Sequence, residues 1–467
     1  MSTLNEETAG SGKDSNQYYL EKSPIGRAVA HLSIPMMIGM SVSTIYNVVN
    51  AYFIGMLHNT QMLSAITLGL PLFTLLMAFG NVFGVGAGTF ATRLFAGGNE
   101  SHGKRVAGYA FYGSIIAGLV IGLLSLLLTN PIVHALGADA STFDYTRSYA
   151  LVLLGGGFVV ILNFALEQLV RSEGASKESM YGIFISVALS LIFDPLFILV
   201  LNWHVAGAAF AMVLANAGSA LYYITFLHRK SEHLRGFLSH IKLSVRDQLE
   251  VYKIGLSELF QAAFLIVTTL LLNHYTIAYG DSVLASFGVA LRIVQVPEFL
   301  AMGLFLGMLP FFAFNFAKPN IARFKAGLKL SCFYIGGVAV VFSGVVFLFR
   351  DSVLHLFSAD PSVLDVGSYI LGAMLVSALF NGFTGLFISI FQAAGQGTPT
   401  MIMSVTQGIL YIPTILVLHA VFGLHGVIWS MTVTELITFL MGLILFIPFR
   451  RKMNNRGTQP LPVPESM

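Results

Sequence analysis

Residues 178–201 read ESMYGIFISVALSLIFDPLFILVL, an apolar run whose interior carries one charge, Asp194. About 20 residues of helix cross a hydrocarbon layer about 30 Å thick, and this stretch is long enough to do so. Ser186, Ser190 and Asp194 recur every four residues, so they form one narrow polar stripe on an otherwise apolar helix. Pro195 follows and leaves the carbonyl near Ser190–Leu191 without its helical donor. A kink beside a carboxylate is a common way to build an intramembrane site. The competing reading is an interhelical hydrogen bond that only holds helices together.

Eleven comparable stretches accompany it. They lie near 28–57, 62–96, 106–128, 145–170 and 205–228, then 249–279, 283–317, 325–349, 365–392, 400–422 and 424–449. Of the 467 residues 56% are hydrophobic and 10% charged, where a soluble domain carries about 25% charged residues. Lipid must face much of such a chain. The expected fold is an all-α integral membrane protein of about twelve transmembrane helices in two pseudo-twofold-related six-helix bundles. The divisions expected are a disordered cytoplasmic tail at 1–27, one bundle at 28–228, a cytoplasmic linker at 229–248, a second bundle at 249–449 and a tail at 450–467. Residues 1–27 also lack the apolar segment of a signal peptide. The lone Cys332 excludes an internal disulfide framework.

Of the 25 Lys and Arg residues, 22 fall on one side of the twelve spans, among them Lys104, Arg105, Arg171, Arg229, Lys230 and Arg450. Arg147 and Arg350 lie on the other side, and Arg292 lies in a span. Short basic loops stay cytoplasmic, so both termini are expected in the cytoplasm of a bacterial cell whose plasma membrane holds the protein. Basic residues confined to short loops give no support to nucleic-acid binding.

The two halves resemble each other. His134 and Asp139 in Pro131–Asp139 match His355 and Asp360 in Ser352–Asp360, each 221 positions on (355 − 134). Gly174 and Gly395, Asp144 and Asp365, and Asn99 and Asn320 keep the same spacing. An even number of helices per copy puts the pseudo-twofold along the membrane normal, with a site between copies. Two bundles that rock against each other suit alternating access, so transport is the function class this plan implies.

An ionisable side chain at the bilayer centre costs at least about 2.5–3.5 kcal/mol, so those in the spans are candidate site residues. They are Glu167, Asp194, Glu258, Arg292, Glu298 and Glu435, five acids against one base. Asn163 precedes Glu167 by one turn on the same face. Arg292, Gln295 and Glu298 follow at i, i+3 and i+6, with Pro297 adjacent. Tyr46, Asn47 and Asn50 add polar groups to the first span. The expected ion- or substrate-binding set is Asp194, Glu167, Glu298, Asn163, Asn50, Tyr46, Asn47, Gln295 and Ser190. Arg292, Glu435 and Glu258 are read as structural or unassigned; the counterpart of Glu435 in the first half is Asn216.

Other chemistry is excluded by pattern. Gly10-Ser-Gly12-Lys13-Asp14 lacks the spacing and hydroxyl of a P-loop. Gly84-Val-Gly86-Ala-Gly88 lies inside an apolar span and reads as helix-packing glycine. The twelve histidines show no metal-ligand spacing, so no metal and no cofactor is expected, apart from a coupling ion. Without a nucleotide site, an ion gradient must supply the energy.

These features resemble the multidrug and toxic compound extrusion (MATE) transporters, and most closely the MepA-like type within the DinF-like branch. The resemblance rests on Tyr19-Leu-Glu-Lys-Ser-Pro24, Ile34-Pro-Met-Met-Ile-Gly39, Phe83-Gly-Val-Gly-Ala-Gly-Thr89 and Leu166-Glu-Gln-Leu169. It rests also on Arg292-Ile-Val-Gln-Val-Pro-Glu298, Gln392-Ala-Ala-Gly-Gln-Gly397 and Gly426-Val-Ile-Trp-Ser430, alongside the Asp194-Pro195 pair. It implies a monomeric antiporter, not an enzyme, that exports cationic amphiphilic small molecules in exchange for H⁺ or Na⁺. It gives Asp194, Glu167 and Glu298 ion- or substrate-binding roles. Many members of that branch carry an aspartate in the first span, where this chain has Asn47 and Asn50. That departure shifts the expected ion site, for a proton or Na⁺, to Glu167 with Asp194. A lipid-linked oligosaccharide flippase would need a basic cavity, against the excess of acids, and an intramembrane enzyme would need facing His/Asp or Ser/His pairs that the spans do not supply.

Overall fold

The structure, a computed structural model, describes residues 15–56, 59–240, 242–355 and 361–456. Among these residues the regular elements are all helical. In chain order they are α1 (Asn16–Glu21), α2 (Ile25–Gly55), α3 (Thr60–Ala96), α4 (Glu100–Ala135), α5 (Phe143–Gly155), α6 (Gly157–Ser172), α7 (Ser176–Pro195) and α8 (His204–Arg229). The second half holds α9 (Val245–Ile277), α10 (Asp281–Ala317), α11 (Ile321–Leu348), α12 (Arg350–His355), α13 (Pro361–Ala393), α14 (Gly397–Phe422) and α15 (Leu424–Arg456). Among the described residues eleven helices are long and apolar enough to cross a membrane, and twelve spans result when α5 and α6 count as one, bent by 52°.

Contacts divide the chain into two units, one of residues 1–22 and 38–262, the other of 23–37 and 263–467. The expected bundle boundaries therefore move. The N-terminal part of α2 belongs with the second repeat, and the N-terminal part of α9 with the first. In the first unit α3 carries glycines at 80, 84 and 88, one helical face. A Cβ there would lie 2.6 Å from the Ile161 carbonyl, 2.9 Å from Ala165 Cα and 3.2 Å from the Gln168 carbonyl on α6. Hydrocarbon offers no hydrophobic drive for helix association, so small residues that let backbones touch supply van der Waals contact instead. On another face of α3, Gly86 abuts the Val251 carbonyl, and Gly255 of α9 abuts the Val82 carbonyl. The second unit repeats this. A Cβ on Gly303 or Gly307 of α10 would lie 2.6 Å from Met37 Cα or 2.9 Å from Ser33 Cα on α2, and these glycines stand 221 positions after Val82 and Gly86.

The repeated polar residues are caps and turns. Asn99 accepts the His102 amide at 3.2 Å and Asn320 the Arg323 amide at 3.1 Å, each starting its helix. Gly174 and Gly395 both adopt positive φ, +79° and +68°, at the α6–α7 and α13–α14 turns, a conformation that glycine adopts without penalty. Asp139 binds the Ser141 and Thr142 amides and hydroxyls, and these donors hold its carboxyl down at about 2. Its partner copy at Asp360 lies outside the described residues, as do residues 1–14.

Part of the expected tail is folded. Ser15 caps α1 by accepting the Tyr18 amide, Glu232 accepts the Asn16 amide at 2.8 Å, and Leu20 is buried against Gly174. At the other end α15 runs on to Arg456. The linker between the repeats is strapped to the first unit. Buried Glu173 accepts the Ser231 hydroxyl and the amides of His233 and Leu234, at 3.0 and 2.8 Å for the amides. Burial pushes this carboxyl up against the pull of those donors. Tyr112 donates to the Leu238 carbonyl at 2.9 Å.

Two predictions follow from these contacts. Gly86→Val should cost about 1–3 kcal/mol through overpacking and lower the melting point read by size-exclusion after heating, whereas Gly337→Val, with open space around it, should not. Glu173→Ala strands two amides, at about 1–3 kcal/mol, and should make residues 230–240 cleavable by limited proteolysis while the helices resist.

Candidate functional site

Asp194 ends α7 with 2% of its surface exposed. Tyr46 of α2 donates its phenol to Asp194 Oδ2 at 2.7 Å. Ser190, one turn back on the expected polar stripe, reaches the same phenol. Tyr149 of α5 lies within electrostatic reach of Asp194, and its buried hydroxyl has no hydrogen-bond partner among the described residues. Asn50, one turn beyond Tyr46, likewise holds a buried Oδ1 without a partner. The carboxylate is thus met by the Tyr46 phenol, with no cation among its partners in the described residues. The side chain of Asn47 lies outside those described.

The backbone beyond Asp194 is irregular, as Pro195 predicts. Leu196–Val200 form a π-helix, and Asn202 and His204 take positive φ of 53° and 49°. π-Helical turns are rare and gather at functional sites. Such strain persists only where the surroundings enforce it.

Glu167 does not join Asp194 by any hydrogen bond among the described residues. It lies buried on α6 and pairs with Arg171 one turn on, Nη1 to Oε1 at 3.2 Å, both side chains nearly inaccessible. This corrects the sequence reading on two points: Arg171 is a buried partner and not a loop cation, and Glu167 is a compensated charge. Near this pair Asn163 donates to Asn216 at 2.9 Å, and the Tyr223 hydroxyl donates to the Ser179 carbonyl at 2.8 Å. A second chain of polar groups links α6, α3 and α9: Gln168 donates to Asn81 at 3.1 Å, and Asn81 to Glu258 at 3.5 Å. Glu258 is therefore half-buried and bound into the first unit.

In the second unit Arg292 and Gln295 are exposed, and Glu298 is half-buried. A charge that reaches Glu298 is that of Glu435. Glu435 is buried, and its Oε1 accepts Gln407 Nε2 at 2.8 Å and Asn381 Nδ2 at 3.4 Å. Among the described residues no three His, Cys, Asp or Glu side chains gather as a metal site.

The residues that sequence reasoning missed are Tyr149, Asn81, Arg171, Asn381 and Gln407. No periodicity could have found Tyr149, whose electrostatic link to Asp194 spans different helices. Arg171 was findable: it stands four residues after Glu167, the spacing at which opposite charges on a helix meet.

A family model described as MatE matches residues 35–196 and again residues 254–417, one match on each repeat. The multidrug export protein MepA of Staphylococcus haemolyticus (strain JCSC1435) is 37% identical over 441 residues, 94% of this chain and 97% of the relative. The protein of the same name from Staphylococcus aureus (strain NCTC 8325 / PS 47) is also 37% identical, over 94% of this chain and 98% of its own. In fold the chain is similar to a crystal structure of MATE in the bent conformation. That likeness has a TM-score of 0.85 and 22% identity, covering 94% of this chain and 99% of the other.

Breaking the buried pair on α6 gives a direct test of its role. Arg171→Ala leaves Glu167 uncompensated at a cost of about 3–5 kcal/mol, and should sharply reduce the yield of folded protein on size-exclusion. Adding Glu167→Gln should restore much of that yield, because a neutral amide needs no counter-ion.

Proposed function

The chain belongs to the MatE family, and from that premise we propose that it is a multidrug efflux transporter that exports lipophilic organic cations in exchange for protons or sodium by alternating access. One observation carries this reading: Asp194 is a nearly inaccessible carboxylate in a membrane span, partnered by phenol and not by a base. Such a group must take up a positive species whenever it is ionised away from water. A bulky cation and a small one can therefore take turns at it.

With Asp194 ionised, a drug cation gains both its charge and the faces of Tyr46 and Tyr149, which attract cations through their ring quadrupoles. When a proton or Na⁺ takes the carboxylate, the attraction ends and the drug leaves. Glu167 supports this from a distance, since Arg171 already offsets its charge, and Glu298 adds a second acid in the other repeat. No cofactor is needed. The basic loops support a bacterial plasma membrane location with both termini in the cytoplasm, and each chain carries a full set of these groups, so a monomer suffices.

Asp194→Asn keeps the shape and removes the charge, and should abolish ethidium efflux from energised cells at unchanged expression. Tyr46→Phe removes one charge-assisted hydrogen bond, worth about 1.5–3 kcal/mol, and should slow efflux by roughly tenfold or more. Vesicle transport under imposed pH or Na⁺ gradients assigns the ion; full efflux by well-expressed D194N sinks the exchange at Asp194.

A further inference from the structure

We propose that His102 and Asp247 form a proton-sensitive clasp on the first turn of α9, a device that the second repeat builds in proton-insensitive form on α2. In the first repeat Asn99 caps α4, and the ring of His102 packs edge-on against Phe90 of α3, centroids 5.8 Å apart. In the second repeat Asn320 caps α11, and the guanidinium of Arg323 lies 5.1 Å over Phe311 of α10. Each side chain also grips the start of one further helix. His102 Nε2 meets Asp247 Oδ2 at 2.9 Å, and Ser244 donates its hydroxyl to the same oxygen at 2.7 Å. Arg323 donates to the carbonyl of Ser23, just before α2, and to its hydroxyl at 3.4 Å. The two clasps match residue for residue: Asn320, Arg323, Phe311 and Ser244 each stand 221 positions after Asn99, His102, Phe90 and Ser23.

The gripped ends belong to the two helices that the units divide. Residues 245–262 of α9 lie in the first unit and the rest of that helix in the second, while α2 divides the other way after Met37. Each clasp therefore fixes, within one unit, the end of a helix that the other unit completes. The clasps differ in their cation. A guanidinium keeps its charge at all physiological pH, whereas an imidazole changes charge between about pH 5 and 8. A protonated imidazole gives a carboxylate a charge-assisted hydrogen bond, about twice as strong as a neutral one. The grip on α9 therefore tightens as pH falls and relaxes as pH rises, and the grip on α2 stays constant. On the orientation proposed above, the pH it senses is that of the cytoplasm.

The charges around the pair leave this contrast in place. The side chains of His102 and Asp247 are 21% and 19% exposed, so protons reach them from solution. From α3, Arg93 lies 5.6 Å from the Phe90 ring and works against a second positive charge there, but Glu250 of α9 is within its electrostatic reach. Glu250 also meets Lys253 at 3.4 Å. Glu100, at the start of α4, is taken by His233 of the linker at 2.9 Å, and that ring stacks on Phe95. Lys104 is half-buried, and Arg105 and Arg246 are exposed. His240 lies against Gly108, six residues along α4 and about 9 Å of rise away, and Tyr109 and Tyr252 bond each other at 2.8 Å.

The clasp's use in export rests on the exchange reading above, but its existence is tested without substrate or gradient. Hydrogen–deuterium exchange of the purified full-length protein gives protection factors, which remove the intrinsic pH dependence of exchange. They are read for amides 248–252 of α9 and 28–32 of α2 at about pH 6 and about pH 8, either side of the ordinary imidazole range. In the unaltered chain α9 should be protected about fivefold more at the lower pH, the difference between a charge-assisted and a neutral hydrogen bond, with α2 unchanged. His102→Gln should hold α9 at its higher-pH level throughout, and Asp247→Asn should likewise flatten the profile. His233→Gln, which removes the neighbouring imidazole, should leave the contrast intact. A contrast that survives both His102→Gln and Asp247→Asn, vanishes in His233→Gln, appears equally at α2 or is missing from the unaltered chain overturns the clasp. Failure of the exchange reading is seen elsewhere, in continued export by Asp194→Asn.

Discussion

A carboxylate inside hydrocarbon has to be answered by something: a base, a set of donors, a proton or a guest. Water is absent, and an unpaired buried charge costs several kcal/mol. The acids of this chain are answered in different ways. Glu167 meets Arg171. Glu173 meets a hydroxyl and two amides. Asp194 meets a phenol, and Glu435 meets two side-chain amides on one oxygen and nothing on the other. Arg171 compensates Glu167, while Glu173 and Glu435 each gather their donors on one oxygen and leave the other buried without a partner among the described residues. Asp194 has a phenol as its partner, and the proposed exchange puts the movable cation there.

Backbone proximity sets the stage for those side chains. The stripe of Gly80, Gly84 and Gly88 lets α3 lie on α6, which brings Asn81 to Gln168. Gly255 and Gly86 let α9 lie on α3, which brings Glu258 to Asn81. Duplication then reuses the plan. The matched Asn and Gly residues serve as caps and left-handed turns in both copies, while the polar interiors have diverged. Asn216 in one repeat is Glu435 in the other. Architecture is shared between the copies and chemistry is not, as expected when scaffold residues answer to backbone geometry and site residues answer to a ligand.

Much was legible without coordinates. Span number, the duplication and the acids inside the spans all come from hydropathy, constant spacing and the cost of charge in lipid, which are local or one-dimensional properties. The stripe Ser186, Ser190, Asp194 gave the helix face, and Pro195 gave the break after it. Less legible were the tails and boundaries. Residues 16–21 look like a polar tail, yet they fold because Glu232 and Gly174, far along the chain, receive them. The division of α2 and α9 between the two units depends on which helices each part packs against, which the sequence of neither helix states.

By itself, then, the sequence determined how many helices cross the membrane, that they come as two copies, and which ionisable groups are carried into the oil. Each of these follows from an energy that a residue incurs alone or with its near neighbours. Tertiary structure decided which acids are neutralised and which are not. Glu167 and Asp194 look alike in sequence, each an acid in an apolar span. The i, i+4 spacing offers Arg171 to Glu167 along one helix, but only the folded chain brings the phenol of Tyr46 to Asp194 from 148 positions away, and Coulomb's law depends on distance in space and not on separation along the chain.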